Sequence, residues 1–225
     1  MLPGMDVRFA KGLNRRLKMH LYNTLNQTDK ARRWAGVNTA PGTAIAGPGN
    51  LAAFSDINAL FALANSAAVN TQPGRGVVPD YVKLIANTPG TGVPRFVVTL
   101  DNIPRGVTAN SNVVIGNADS DSLATASSIA FVQLGALTPT AASTKRAIIA
   151  QDYLRGAALI AGDEILITFA EPTTGLGSTV ATISTRMHFP IGLVTLGPGG
   201  LLLIHSYGQT TATTWELEAG WWELS

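Results

Sequence analysis

Apolar residues recur every four positions at the start of the chain. They are Met5, Phe9, Leu13, Leu17, Leu21 and Leu25. Because residues four apart share one face of an α-helix, this stripe predicts an amphipathic helix between Met5 and Trp34. An isolated helix of this length is marginal in water, so we expect it to become ordered only against a partner.

The next region, residues 36–79, is predicted to be a linker followed by a short helix. Residues 36–50 are small and rich in proline and glycine, a composition typical of linkers. Asn50 can cap a helix over about residues 50–67. The apolar face of that helix would contain Leu51, Phe54, Ile57, Phe61 and Ala64.

From Asp80 onward, short runs of β-branched residues alternate with turn-forming gaps. The runs lie at residues 81–86, 95–100, 112–115, 128–134, 145–151, 164–170, 179–189, 191–196, 201–207 and 213–222. About eight to ten strands at this spacing, without helical crossovers, predict an antiparallel β-sandwich or barrel over residues 80–225. The turn Gly197-Pro198-Gly199-Gly200 predicts a hairpin between the runs on either side of it.

Composition suggests that this body associates with copies of itself. Of the 225 residues, 46% are apolar and only 13% are charged, about half the usual charged share. A surface with so few charges favours association. The absence of cysteine excludes disulfides and thiolate metal sites.

The charges are distributed unevenly. Residues 1–34 contain eight basic and two acidic residues, whereas the remainder contains eight basic and twelve acidic residues. The eight are Arg8, Lys11, Arg15, Arg16, Lys18, Lys30, Arg32 and Arg33. Residues 1–35 are therefore predicted to be a basic amphipathic arm on a mildly acidic body.

Three features together resemble the single jelly-roll coat proteins of icosahedral viruses. They are the clusters Arg15-Arg16-Leu17-Lys18 and Lys30-Ala31-Arg32-Arg33, and the strand series from Tyr81 to Trp222. The resemblance implies a jelly-roll-like sandwich, assembly of many copies into a shell, and a location in the virion. No run of 18 apolar residues and no secretory signal occurs in the sequence, so we expect synthesis in the host cytoplasm.

The resemblance also implies a role for the basic arm inside the shell. There its eight basic residues would contact nucleic acid without sequence preference, an internal lipid layer, neighbouring subunits or other virion proteins. The alternative function, a decoration, spike or receptor-binding protein of the virion, shares the β-rich and charge-poor composition but needs no basic arm. An enzyme is not expected, because no nucleophile or oxyanion hole accompanies the acidic pairs Asp163–Glu164 and Glu216–Glu218.

Two weaker candidates concern a metal and an interface. Asn117, Asp119 and Asp121 alternate as calcium ligands do, but the EF-hand pattern fails, so a solvated loop is favoured over a calcium site. No other cofactor is expected. The C-terminal tryptophans Trp215, Trp221 and Trp222 alternate as buried strand residues do, which favours packing in the core or at an interface over the alternative, a stacking platform for a host glycan.

Overall fold

The protein folds into two β-sheets packed face to face. The computed structural model describes residues 31–38, 42–49, 52–66, 76–103, 105, 107, 113–118, 130–140, 147–153, 157–169 and 186–224. The strands in these residues are β1 (Ala31–Asn38), β2 (Ile45–Ala46), β3 (Ala59–Asn65), β4 (Val77–Thr88), β5 (Gly92–Asp101), β6 (Val113–Asn117), β7 (Ala130–Leu137), β8 (Ala147–Tyr153), β9 (Glu164–Thr168), β10 (Arg186–Pro190), β11 (Leu201–Gln209) and β12 (Thr214–Leu224).

The seven-stranded sheet has the order β10-β9-β4-β12-β1-β6, and β2 pairs with the start of β12. The five-stranded sheet has the order β7-β3-β11-β5-β8. Within these sheets only β10 and β9 are parallel. The prediction of a mainly β, antiparallel sandwich is confirmed at this level. The predicted helix of the basic arm lies outside the described residues up to residue 30, and its last four positions, residues 31–34, belong to β1 instead.

The main core lies between the two sheets. Along β12, Trp215, Leu217, Ala219 and Trp221 point inward and are buried, whereas the residues between them face away from the core. The inward positions of β4 and β9 meet them in the same cluster. Each large side chain removed from water here contributes about 1.5–3 kcal/mol, so this alternation holds the sheets together.

A second apolar cluster lies on the outer side of the five-stranded sheet. It contains Ala59, Ala62, Leu137, Leu201 and Leu203. The sheet is therefore buried on both sides along β3 and β11. The predicted helix over residues 50–67 is wrong for this reason: Ala59–Asn65 is a strand without period-2 alternation, because both of its faces are covered.

The predicted boundaries at residues 35 and 79 do not coincide with the sheets. Strand β1 crosses the first boundary and pairs with β12 from Ala31↔Leu224 to Val37↔Glu218. Strand β4 crosses the second boundary. Residues predicted to be arm and linker thus form part of the sandwich, because Trp34 supplies a side chain to its core.

The predicted hairpin around residues 197–200 is also wrong. Its turn is present, with the Gly200 amide donating to the Gly197 carbonyl at 2.8 Å. However, Leu196 forms an isolated bridge with Val77, and β11 pairs with β3 and β5. Long-range pairing therefore overrides the local turn signal.

Candidate interaction face

The basic residues of the predicted arm have different positions relative to the fold. Arg8, Lys11, Arg15, Arg16, Lys18 and Lys30 lie outside the described residues. Arg32 and Arg33 belong to β1, not to a separate arm, because this strand begins at Ala31. The Arg33 guanidinium lies 3.5 Å from the Asp80 carboxylate and 5.9 Å from the ring centre of Trp222. The Arg33 side chain is therefore held by the sandwich itself.

The tryptophans predicted as a possible interface occupy two environments. Trp215 and Trp221 are 1% and 0% exposed and pack between the sheets, so an interface role for them is wrong. Their odd-numbered positions on β12 face the core. Trp222 points to the opposite side, where it is partly exposed beside Arg33.

The outward side of the seven-stranded sheet carries a band of charged side chains, and we call this side the open face. Lys83 on β4 lies 3.5 Å from Glu218 on β12 and 3.6 Å from Glu164 on β9. At the end of the band, Asn87 donates to Glu216 at 3.1 Å. These side chains remain partly exposed, so each pair contributes at most about 1 kcal/mol to stability. Of the acidic pairs considered from the sequence, Glu164, Glu216 and Glu218 thus contact side chains of a neighbouring strand, whereas Asp163 accepts from the Ile160 amide in its own turn at 2.8 Å.

Tyr81 lies across the middle of the open face. Its hydroxyl donates to Glu218 at 2.7 Å. Partial burial, reinforced by that hydrogen bond and by the charge of Glu218, raises the pKa of Tyr81 to about 12. The ring covers Gly220, whose Cβ in any other residue would lie 2.6 Å from Tyr81 Cε1. The open face therefore needs glycine at position 220 for the ring to lie flat.

One corner of the open face is apolar. Val37 on β1 pairs directly with Val114 on β6. The two side chains are 44% and 47% exposed. Ala35 and Gly116 form the next pair along these strands, whereas Glu218 of β12 is the partner of Val37 on its other side, so the apolar pair borders the charged band. The two valines give this edge of the open face a small exposed apolar surface next to charged groups.

The opposite side of the sandwich, the outer side of the five-stranded sheet, is closed by chain segments. Arg105 is buried there, 3.4 Å from Asp101 and 3.7 Å from Asp56. Its Nε also donates to the Thr140 carbonyl at 3.0 Å. This cation joins three segments, and the sequence analysis did not detect the contact because Asp56 and Thr140 are distant from Arg105 along the chain.

His205 connects the same layer to the sheet. Its Nδ1 lies 2.6 Å from the Asn58 carbonyl and its Nε2 lies 2.9 Å from Thr99 Oγ1. A carbonyl only accepts, so Nδ1 carries the proton. Both side chains are buried, 1% exposed for His205 and 0% for Thr99. The arrangement thus fixes the covering segment and does not present a nucleophile to solvent.

The calcium prediction falls mostly outside the described residues. Asn117 ends β6, with its side chain undescribed, and Asp119 and Asp121 are not described. Among the residues that are described, no group of three or more histidine and acidic side chains could hold a metal ion. Within the same residues, no helix is long and apolar enough to cross a membrane.

Comparison with known proteins adds no assignment. No protein-family model matches the chain, and neither a curated protein nor a solved structure matches it.

Proposed function

We propose that the chain is a structural virion protein that assembles in many copies into a closed shell. In this proposal the sandwich is a jelly roll that forms the wall. The basic arm that precedes it faces the interior. The observation that carries the proposal is the pairing order of eight strands.

A jelly roll is a long antiparallel hairpin of eight strands rolled into two sheets. Its first strand pairs with the eighth, the second with the seventh, the third with the sixth and the fourth with the fifth. The pairs β1·β12, β3·β11, β4·β9 and β5·β8 follow this order. The further contacts β12·β4 and β11·β5 join the pairs into two sheets. Of the four remaining strands, β6, β7 and β10 lie at sheet edges and β2 pairs with β12.

Self-assembly is supported by the low proportion of charged residues and by the open face. With 13% charged residues, the chain has little of the surface repulsion that keeps a protein monomeric. The Val37–Val114 corner also gives the open face apolar area to bury. Neither feature identifies a substrate or a catalytic group, and both suit contact with another protein surface.

Electron microscopy of the purified full-length protein, with sedimentation velocity at increasing concentration, tests the proposal. We expect closed particles of uniform size that coexist with free subunits below a critical concentration. A protein that remains a monomer at high concentration would refute the proposal. A small closed oligomer such as a trimer would also refute it, in favour of a decoration, spike or receptor-binding protein.

A further inference from the structure

The open face has a net negative charge. Among the residues whose side chains the structure describes, its charged groups are the carboxylates of Asp80, Glu164, Glu216 and Glu218 and the cations of Arg33 and Lys83. Strand β10 adds one further cation, Arg186, in register with Glu164 at the edge of this sheet. Four negative groups and three positive groups thus belong to these positions, which leaves a net charge of −1. A second open face placed against it would bring like net charges together, which disfavours direct face-to-face pairing of two copies.

The preceding segment of the chain has the complementary chemistry. Residues 1–30 contain six basic and two acidic residues. The apolar stripe from Met5 to Leu25 gives the same segment an apolar side. A basic amphipathic segment matches a surface that combines an acidic band with an apolar corner, because both kinds of group on the segment find partners.

The dimensions also agree. As the predicted helix, the 21 residues from Met5 to Leu25 would be about 30 Å long at 1.5 Å per residue. Five strand spacings, from β10 to β6, span about 24 Å, and the 11 residues of β12 are about 36 Å long. The segment can thus cover the band and the corner together.

We propose that the open face receives residues 1–30 of a neighbouring copy. The inference rests on the proposed assembly, and it names the surface that the arm contacts. A contact of one copy's arm with the next copy's face is heterologous, so it joins copies in series. A contact between the arm and the open face of the same chain would not link one copy to another.

The test compares two variants that add equal charge. Val37→Lys combined with Val114→Lys places two lysines in the apolar corner. Ile160→Lys combined with Leu193→Lys changes two side chains that are 55% and 69% exposed and lie outside the strands of the open face. All four positions are exposed, so we expect all variants to fold, as circular dichroism would check. Glu216→Lys is a further variant of the open face.

In sedimentation velocity, we expect the face variants to raise the critical concentration for assembly at least about tenfold, equivalent to 1.4 kcal/mol. The matched Ile160 and Leu193 variant should assemble as the wild type does. High salt should weaken wild-type assembly, because the contact is partly electrostatic. Equal assembly of face and control variants, or equal loss in both, would overturn the inference.

A mixing experiment separates contact between copies from contact within one chain. The arm variant carries Arg8→Glu, Lys11→Glu and Arg15→Glu, and the face variant carries Val37→Lys and Val114→Lys. At a concentration above the critical concentration of the wild type and below those of the two variants, each variant alone should remain monomeric, whereas their mixture should form a one-to-one complex, since one intact arm meets one intact face. A mixture that stays monomeric overturns the inference. If the wild type itself never assembles, the proposed function fails instead.

Discussion

The two outer sides of the sandwich differ in what covers them. On the five-stranded sheet, the outward residues Ala62, Thr99 and Gln133 are each 0% exposed beneath segments of the same chain. On the seven-stranded sheet, the outward residues Val37 and Val114 keep almost half of their surface in water. One side is covered within the chain, whereas these positions of the other side remain in contact with water.

The same kinds of polar groups therefore have different roles on the two sides. Arg105 and Asp101 form a buried ion pair whose side chains are 1% and 0% exposed. Lys83 and Glu218 form an exposed pair, with side chains 24% and 46% exposed. Burial makes an ion pair costly to break, whereas water compensates for the loss of an exposed one. We expect the first pair to contribute to stability and the second mainly to recognition.

The largest expected effect on the free energy of unfolding is that of replacing Arg105 by methionine. Arg105→Met leaves the buried Asp101 carboxylate without its cation and should lower the free energy of unfolding by about 3–5 kcal/mol. Lys83→Met, the matched control on the open face, should lower it by at most about 1 kcal/mol. Urea unfolding monitored by tryptophan fluorescence measures both values. Similar losses in the two variants would contradict the distinction between the sides.

Replacement of Gln133 by leucine is expected to raise the free energy of unfolding by a smaller amount. Both atoms of its buried side-chain amide have no hydrogen-bond partner. Because a buried amide without partners costs about 1–3 kcal/mol, Gln133→Leu should stabilise the protein by roughly this amount, less any strain from packing. Urea unfolding measures the change, with Gln133→Glu as a destabilising control. A loss of stability in Gln133→Leu would indicate a partner for the amide.

The smallest effect is expected at Tyr81 and is confined to alkaline pH. Because the pKa of Tyr81 is raised to about 12 in the folded protein, the folded state holds its proton longer than the unfolded state. Stability is therefore unaffected below pH 10 and falls as the pH rises through 12. The ionisation of tyrosine is followed by absorbance as the pH is raised, in the wild type and in Tyr81→Phe. The wild type should show one tyrosine that ionises near pH 12, and the variant should lack it.

Glu218→Gln sharpens the same prediction. Removing the charge should lower the pKa of Tyr81 only in part, because burial is the larger cause of the shift. A return of the pKa to 10 in this variant would show that the carboxylate alone is responsible.

Strands whose two sides differ could be predicted from the sequence. In β4 and β12 one side faces the core and the other faces water, so alternation identified both to within a few residues. In β3 nearly every residue is buried, and its alanine-rich and leucine-rich composition favours a helix over a strand. Tertiary burial on both sides, which local sequence does not reveal, decides its structure.

The open face could be predicted only in part. Alternation along β4 places Tyr81 and Lys83 on its outer side. However, their partner Glu218 lies 137 positions after Tyr81, and nothing local pairs them. The contact of Arg33 with Asp80 was likewise hidden, because Arg33 was assigned to the arm. The basic charge of the N-terminal segment was evident from sequence, whereas the acidic band of the open face depends on strand order.

Thiol labelling tests the central claim most directly, because the chain has no cysteine of its own. The single variants Val114→Cys and Ala62→Cys place a thiol on the open and the closed side, and labelling rates are measured in particles and in subunits dissociated by salt. We predict that Cys at 62 is protected in both states, whereas Cys at 114 reacts rapidly in free subunits and becomes protected in particles. Equal reactivity at 114 in both states would contradict the account.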